Sequence, residues 1–496
     1  MLAIYKRELK SYFRSFIGFL FIAVTLFFLG LYFSVYNLMN GYPYFAYVVS
    51  SVTFLFMLTM PILTMRILAE EKRSKTDQLI LTAPVSVGGI VMGKFLALLT
   101  IFAIPVAIIC FYPLIMAQYG SVPMGEAYLS ILAYFLFGMT AIAIGLFLSS
   151  VTESQVIAAV LTFLVLFVGY MMDSICSIIS STGNLLTKLL RCFDLYTPFS
   201  NLLNGTLDVS SIVYYVSVTA LVLFLTVQSI QKRRYSMSVK NLSFSAYSTG
   251  MIAVAVALVV VVNIIMGEMP SSWTAIDMTS QKLYSLTDQT VDYVKNMQDD
   301  VTIYVLVNQD NQDTTLGQTL QRYDDLSDHI TVEYVDPTVN PMFYTQYTTG
   351  NISTNSLIVV SDKRSKVIDY NDVYESSYDF DYSTYSYNTT TTGYDGEGQI
   401  TSALDYVLND NMPKVYMTTG HNELSLSNTF TSALNKENVD YETVNLMDLD
   451  AIPDDAACLF INGATSDFSS DDKDKVIDYL DNGGKVILVT GYTDEE

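Results

Sequence analysis

Seven stretches of this chain are too long and too apolar for the interior of an ordinary water-soluble domain. Six fall in the first half, at 16–35, 45–65, 93–116, 128–151, 155–172 and 212–230, and a seventh covers 247–266. About 20 mostly apolar residues carry a helix across the roughly 30 Å hydrocarbon core of a bilayer. A helix crosses because its backbone groups bond to one another and leave nothing polar for the lipid. Each stretch is therefore expected to span the membrane, six as one block and the seventh as a linking span. The first run is too long for the apolar part of a signal peptide and lacks a small-residue cleavage site.

Charge orients the block. Residues 1–240 hold 15 Lys and Arg against 9 Asp and Glu, whereas residues 241–496 hold 11 against 40. Positive residues gather on the cytoplasmic side of membrane proteins. Lys6, Arg7, Lys10 and Arg14 precede the first span, and Arg66, Lys72, Arg73, Lys75 and Lys94 surround the connection between the second and third. Lys232, Arg233 and Arg234 follow the sixth. The connections at 36–44 and 117–127 carry no Lys or Arg. Both ends of the six-span block are then cytoplasmic, and residues 268–496, beyond the seventh span, are extracytoplasmic. Segment 173–211, with Lys188 and Arg191, is the exception. Its apolar stretches and Pro198 leave a partial return into the membrane open.

Residues 1–15 form a unit of their own. At 100° per residue, Leu2, Tyr5, Leu9, Tyr12, Phe13 and Phe16 fall on one side, and the four basic residues fall on the other. That pattern predicts a helix lying on the cytoplasmic surface of the bilayer.

Between the second and third spans runs a charge-dense segment, Arg66 to Val85, rich in helix formers and ended by Pro84. Arg66, Glu70, Glu71, Thr76, Pro84 and Val85, with Gly93-Lys94 opening the next span, resemble the type 2 ABC exporter permeases. Thr197-Pro198-Phe199, Gly205, Asp208 and residues 212–215 extend the resemblance over roughly residues 1–235. It implies a permease domain over 16–235 and a coupling helix that docks on a separate ATPase subunit through Glu70, Glu71, Lys72, Arg73, Thr76, Asp77, Leu79, Ile80 and Leu81. Lys75 stands where that family usually has glycine. Gly88, Gly93 and Lys94 match part of a phosphate loop, but Phe95 follows where a magnesium-holding Ser or Thr belongs and no strand precedes. No cofactor is expected in this chain. ATP and magnesium belong to the ATPase, expected in two copies beside a second copy of this chain.

After a linker and the seventh span (236–267), strand patterns at 301–307, 330–335, 356–360, 414–417, 441–444, 458–461 and 485–489 alternate with helix patterns at 287–297, 316–326, 398–408, 430–436 and 470–480. Such alternation predicts an α/β domain built on a mainly parallel open sheet, divided into subdomains at 268–411 and 412–496. Residues 374–397, mostly Tyr, Ser, Thr, Asp and Asn, read as a long loop or an inserted hairpin. The Asp277-Met278-Thr279 and Lys282–Thr287 motifs, Asp336-Pro337, Gly420-His421-Asn422-Glu423 and Phe460–Gly463 resemble the auxiliary component of gliding-motility ABC transporters. Members of that family usually continue to another C-terminal span, which leaves a truncated second subdomain or a naturally short product as alternatives. The loop Gly420, His421, Asn422 and Glu423 follows a strand, where α/β sheets place ligand loops. With no Ser or Cys in a nucleophile setting, a structural or ligand-binding role is favoured over a catalytic one.

Several function classes drop out. The acidic second half offers no basic patch for nucleic acid. Two histidines and no Cys-x-x-Cys disfavour a His/Cys zinc site. Cys176 and Cys192 leave a disulfide or two buried thiols as alternatives, the thiols favoured. The reading is a multi-pass protein of a prokaryotic cell membrane. It is expected to be the permease subunit of an ABC exporter, not itself an enzyme, acting on cargo or an extracytoplasmic partner. The alternative is a non-transporting scaffold or signal relay with an outer ligand-binding domain.

Overall fold

A computed structural model describes residues 1–77, 85–179, 187, 190–232, 242–267, 269, 274–279, 282, 285–308, 312–350, 352–381 and 386–490. The chain forms two compact units, Met1–Ser285 and Leu286–Glu496.

The first unit opens with α1 (Leu2–Arg14), followed after Ser15 by α2 (Phe16–Phe33), which ends in a π-helical turn at Ser34–Met39. Next come α3 (Ala46–Thr64), α4 (Arg66–Arg73), α5 (Val87–Ile109), α6 (Met124–Val151), α7 (Gln155–Tyr170), α8 (Val209–Lys232) and α9 (Leu242–Gly267). Among the described residues, six helical stretches are long and apolar enough to cross a membrane, with α3 and α4 counted as one. Gln155–Tyr170 is apolar but shorter, at 16 residues. The expected run at 155–172 is cut at Met171, whose backbone leaves the helical region before a second short helix at Met172–Ile179.

Helix α6 is the most enclosed span, and α9 has no buried share. Two glycines let neighbours close on α6. A Cβ at Gly138 would lie 2.3 Å from the Phe102 ring, and one at Gly145 would lie 2.2 Å from Thr64 Oγ1. Around them Phe56, Phe102, Tyr134 and Phe137 pack, with Phe56 and Tyr134 centroids 4.7 Å apart. Polar links are sparse and specific: Thr140 Oγ1 to Thr219 Oγ1 at 2.9 Å joins α6 to α8, and Asn263 Nδ2 donates to Ser217 Oγ at 2.9 Å, fixing α9 on α8.

At one end of this unit the chain makes a small strap. Strand β1 (Thr206–Asp208) pairs antiparallel with β2 (Ala275–Asp277), and Met278 N donates to Gly205 O at 2.9 Å. Gly205 has φ +89°, and a Cβ there would meet Thr279 at 2.7 Å and Glu126 at 3.0 Å, so glycine is required on both counts. Asp208 is buried and accepts from the backbone and hydroxyls of Ser210 and Ser211, capping α8. Cys176 and Cys192 are thiols, not a disulfide.

The second unit is not one sheet. Its first sheet has the order β4-β3-β5-β6, built from β3 (Val301–Val305), β4 (Ile330–Tyr334), β5 (Leu357–Val360) and β6 (Ser365–Ile368). Strands β3 and β4 are parallel, whereas β5 is antiparallel to β3 and to β6. The expectation of a mainly parallel sheet fails here because β5 and β6 form a hairpin closed by the Ser361 N to Arg364 O bond. Helices α10 (Asp288–Lys295), α11 (Thr314–Leu326) and α12 (Gly396–Leu408) supply the rest of its core. Thr287 and Asp313 cap the first two. Strand β7 (Tyr374–Asp381) pairs antiparallel with β8 (Ser386–Tyr394).

The second sheet is wholly parallel, in the order β10-β9-β11-β12. It comprises β9 (Lys414–Thr419), β10 (Asp440–Asn445), β11 (Ala456–Asn462) and β12 (Val486–Val489), with α13 (Asn428–Lys436) and α14 (Ser470–Asp481) as crossovers. Chain order reverses between β9 and β11, and loop 420–427 leaves at that point.

Candidate functional site

The charged connection between the second and third spans is helix α4 and the turn that ends it. Met65 breaks the helix begun at Ala46, so α4 starts with unpaired backbone N–H groups. Two of them, on Leu68 and Ala69, donate to Ser149 Oγ of α6 at 3.2 and 3.0 Å, and Ser149 donates on to Met65 O. A residue from another span thus caps this helix.

Its C-terminus is a Schellman turn. Thr76 N bonds to Glu71 O at 3.0 Å, and Lys75 N to Lys72 O at 3.2 Å. Lys75 has φ +58°, the left-handed backbone that glycine favours. The turn takes a glycine-type backbone with lysine in place.

The residues expected to dock face different ways. Glu70 pairs with Arg66. Arg73 and Thr76 are exposed, as is Lys75. Glu71 turns inward, with Oε2 2.8 Å from Lys94 Nζ and Oε1 2.6 Å from Arg7 Nη2. Lys72 bonds to Val151 O at 3.0 Å and lies 3.6 Å from Glu153. Glu71 and Lys72 thus make contacts within this chain, and each is half-buried, because helix neighbours point 100° apart. Asp77 is half-buried. Leu79, Ile80 and Leu81 lie outside the described residues.

Lys94, one of the positive charges flanking this connection in the sequence, faces inward. It is fully buried in α5, and its ammonium meets Glu8 Oε1 at 3.1 Å, Glu71 Oε2 at 2.8 Å and Ile67 O at 2.9 Å. Glu8, on α1, also meets Arg7 at 2.5 Å. The signal was available: Glu8 interrupts the apolar stripe between Tyr5 and Tyr12.

In the second unit, Gly420 has φ +109°, and a Cβ there would lie 2.6 Å from Asn445 Oδ1. His421 is buried, stacked on Phe468 at 4.0 Å between centroids, with Nε2 3.3 Å from Asp472 Oδ2 and Nδ1 3.5 Å from Glu423 Oε1. Glu423 Oε2 accepts from His421 N at 2.7 Å, and Asn422 Nδ2 donates to Ser466 Oγ at 2.7 Å. Burial pushes the Glu423 carboxyl up, but the backbone N–H groups of His421 and Glu423 and the His421 ring leave it below its ordinary value. The Ser469 hydroxyl, with Lys475 and His421, holds Asp472 low against its burial. The arrangement ties the loop after β9 to the first turn of α14. Asp472 lies in the first turn of α14; its contact with His421 spans distant chain positions and leaves no local signal.

Residues 33–230 match a family model described as ABC-2 family transporter protein, and residues 280–373 match one described as a domain of unknown function, DUF7088. No curated protein matches the chain. With its apolar helices, the first match supports a multi-pass membrane protein, a membrane permease of an ABC transporter. Families of this kind work with an ABC ATPase in the lipid bilayer and are not themselves catalytic.

Proposed function

We propose that this chain is the membrane-spanning subunit of an ABC exporter. ATP hydrolysis in a separate subunit would reach the spans through α4 and the segment that follows it. The observation that carries the reading is the solvent-facing turn at Arg73–Thr76, held rigidly at the end of a span by Ser149, Lys94 and Val151. Exposed Arg73, Lys75 and Thr76 offer a partner charge and hydrogen bonds. A short helix fixed to several spans passes on a rigid-body shift. The ATPase binds ATP and magnesium, and two copies of it serve two copies of this chain.

The orientation follows from charge. The end that gathers α1, α4, Lys94 and Lys72 is cytoplasmic, and the end that carries the β1–β2 strap is external. Residues from Leu286 onward then form an extracytoplasmic unit that receives or scaffolds cargo or a partner. The His421–Glu423–Asp472 cluster braces a loop in that unit.

Co-expression with an ATPase encoded beside this chain tests the reading. The two should co-purify in a two-plus-two complex. Arg73→Glu should cut ATPase retention roughly ten-fold, the scale of losing one interface anchor, with membrane insertion unchanged. A purified active complex with one copy of this chain and no second permease would overturn the stoichiometry. Full retention of the ATPase by Arg73→Glu and Leu79→Asp variants would overturn the docking assignment.

A further inference from the structure

Lysine avoids full burial unless its charge is matched. At Lys94 the match is complete: the three protons of the ammonium meet three acceptors, Glu8, Glu71 and Ile67 O, on two different helices. Arg7 closes the ring from the solvent side by reaching both carboxylates. Two formal positive and two negative charges cancel within one cluster. Glu8 is the odd member of its helix. A carboxylate on the apolar stripe of an interfacial helix is out of place in lipid and finds its reason only in Lys94.

We infer that Arg7, Glu8, Glu71 and Lys94 form a clamp that makes α1, α4 and the cytoplasmic end of α5 move as one body. This clamp carries displacement of the docking turn into the membrane, so Lys94 and Glu8 are positioning residues that act through Glu71. The inference rests on the reading of α4 as the docking element. Other observations point the same way. A Cβ at Gly93 would meet Met1 O at 3.0 Å and Ile4 at 3.3 Å, so α1 lies directly on α5. Tyr5 bonds to Thr100 of α5 at 3.1 Å, and Tyr12 donates to Leu63 O of α3 at 3.0 Å. An unclamped amphipathic helix slides and rotates in the headgroup plane, held mainly by its apolar face. Here α1 is pinned along its length, with the charge ring at its middle. Removing one member of a buried ion cluster strands the others, whereas a substitution that keeps the positive charge at position 94 keeps both carboxylates matched.

The test uses the full-length chain with its ATPase in inside-out vesicles. Trypsin should reach Lys6 and Lys10 slowly in the parent, about ten-fold or more faster in Lys94→Met as α1 is released, and at a rate nearer the parent's in Lys94→Arg, which keeps the charge. In Lys94→Met the ATPase should stay bound while its membrane-subunit-dependent turnover falls, and Lys94→Arg should keep more of it. If Lys94→Met does not insert, Arg7→Gln opens the ring from its exposed side and should release α1 by a smaller factor. Unchanged cleavage in variants that insert overturns the clamp and leaves docking intact. Release of α1 with undiminished turnover overturns its role in transmission. Failure of the parent chain to hold the ATPase counts against the docking reading, while the cleavage rates still decide the clamp.

Discussion

Ser149 Oγ lies 3.0 Å from the backbone nitrogen of Ala69 and accepts its hydrogen. One hydroxyl, deep in the bundle, thus satisfies two backbone donors of a helix that begins at a break. Ser149→Ala should strand both donors and destabilise the detergent-solubilised protein by about 1–3 kcal/mol. Thermal unfolding would register this as a lower Tm, and Ser149→Thr, which keeps the oxygen, should lose less. An unaltered Tm in Ser149→Ala would show that the break at Met65 needs no cap.

Lys75 holds a backbone conformation that costs a side chain about 1 kcal/mol. Lys75→Gly should relieve most of that cost. Amide exchange at residues 74–76 should slow by roughly two- to five-fold, the equivalent of about 0.5–1 kcal/mol in local opening. Lys75→Val should speed exchange. Equal exchange in all three forms would show that the left-handed backbone at position 75 carries no cost.

The β1–β2 strap places Thr206 opposite Asp277. Cysteines at these two positions, in a chain with Cys110, Cys176, Cys192 and Cys458 replaced by serine, should cross-link under mild oxidation, because opposed strand residues lie within disulfide reach. A pair moved two residues along one strand should not. Cross-linking blocked by an impermeant thiol reagent from outside would also fix the side of the membrane.

Glu423 and Asp472 carry carboxyls held below their ordinary values of 4.5 and 3.8. A depressed folded value means the stabilisation is complete above the ordinary value and is lost as pH falls through the depressed one. The second parallel sheet should therefore loosen below about pH 4, and Asp472→Asn should flatten that dependence while lowering stability at neutral pH. Tyrosine fluorescence against pH reads this out. A parent and variant with the same acid midpoint would show that the cluster contributes nothing to acid stability.

Much of this architecture was legible because it rests on periodicity. The alternation at Val301, Ile303 and Val305 marks a strand with one buried face, and the long apolar runs mark spans whatever their neighbours. What periodicity cannot reach is direction and partnership. Glu70 and Glu71 are equivalent in a string but a third of a turn apart on a helix, so one stays near the surface and the other reaches Lys94. Strands β1 and β2 have three residues each, too few for any alternation to appear. Lys94 looked like part of a positive flank because the carboxylates that neutralise it come from Glu8 and Glu71, far from it in the chain. The hairpin of β5 and β6 was missed because Ser365–Ile368 carries a lysine and only two apolar residues.

The strap also has a consequence for how the protein is made. Its first strand emerges between two spans, but its partner is synthesised only after α8 and α9. At ordinary synthesis rates that delay is a few seconds, on the order of the time a ribosome needs for several dozen residues. During that interval the strap end of the bundle is unsealed, with Asp208 in place to start α8 but Gly205 lacking Met278 and Thr279. Closing so long a loop costs little more entropy than closing a short one, so the strap can wait. Its formation requires that α8 and α9 have already brought the chain back to the end where β1 waits.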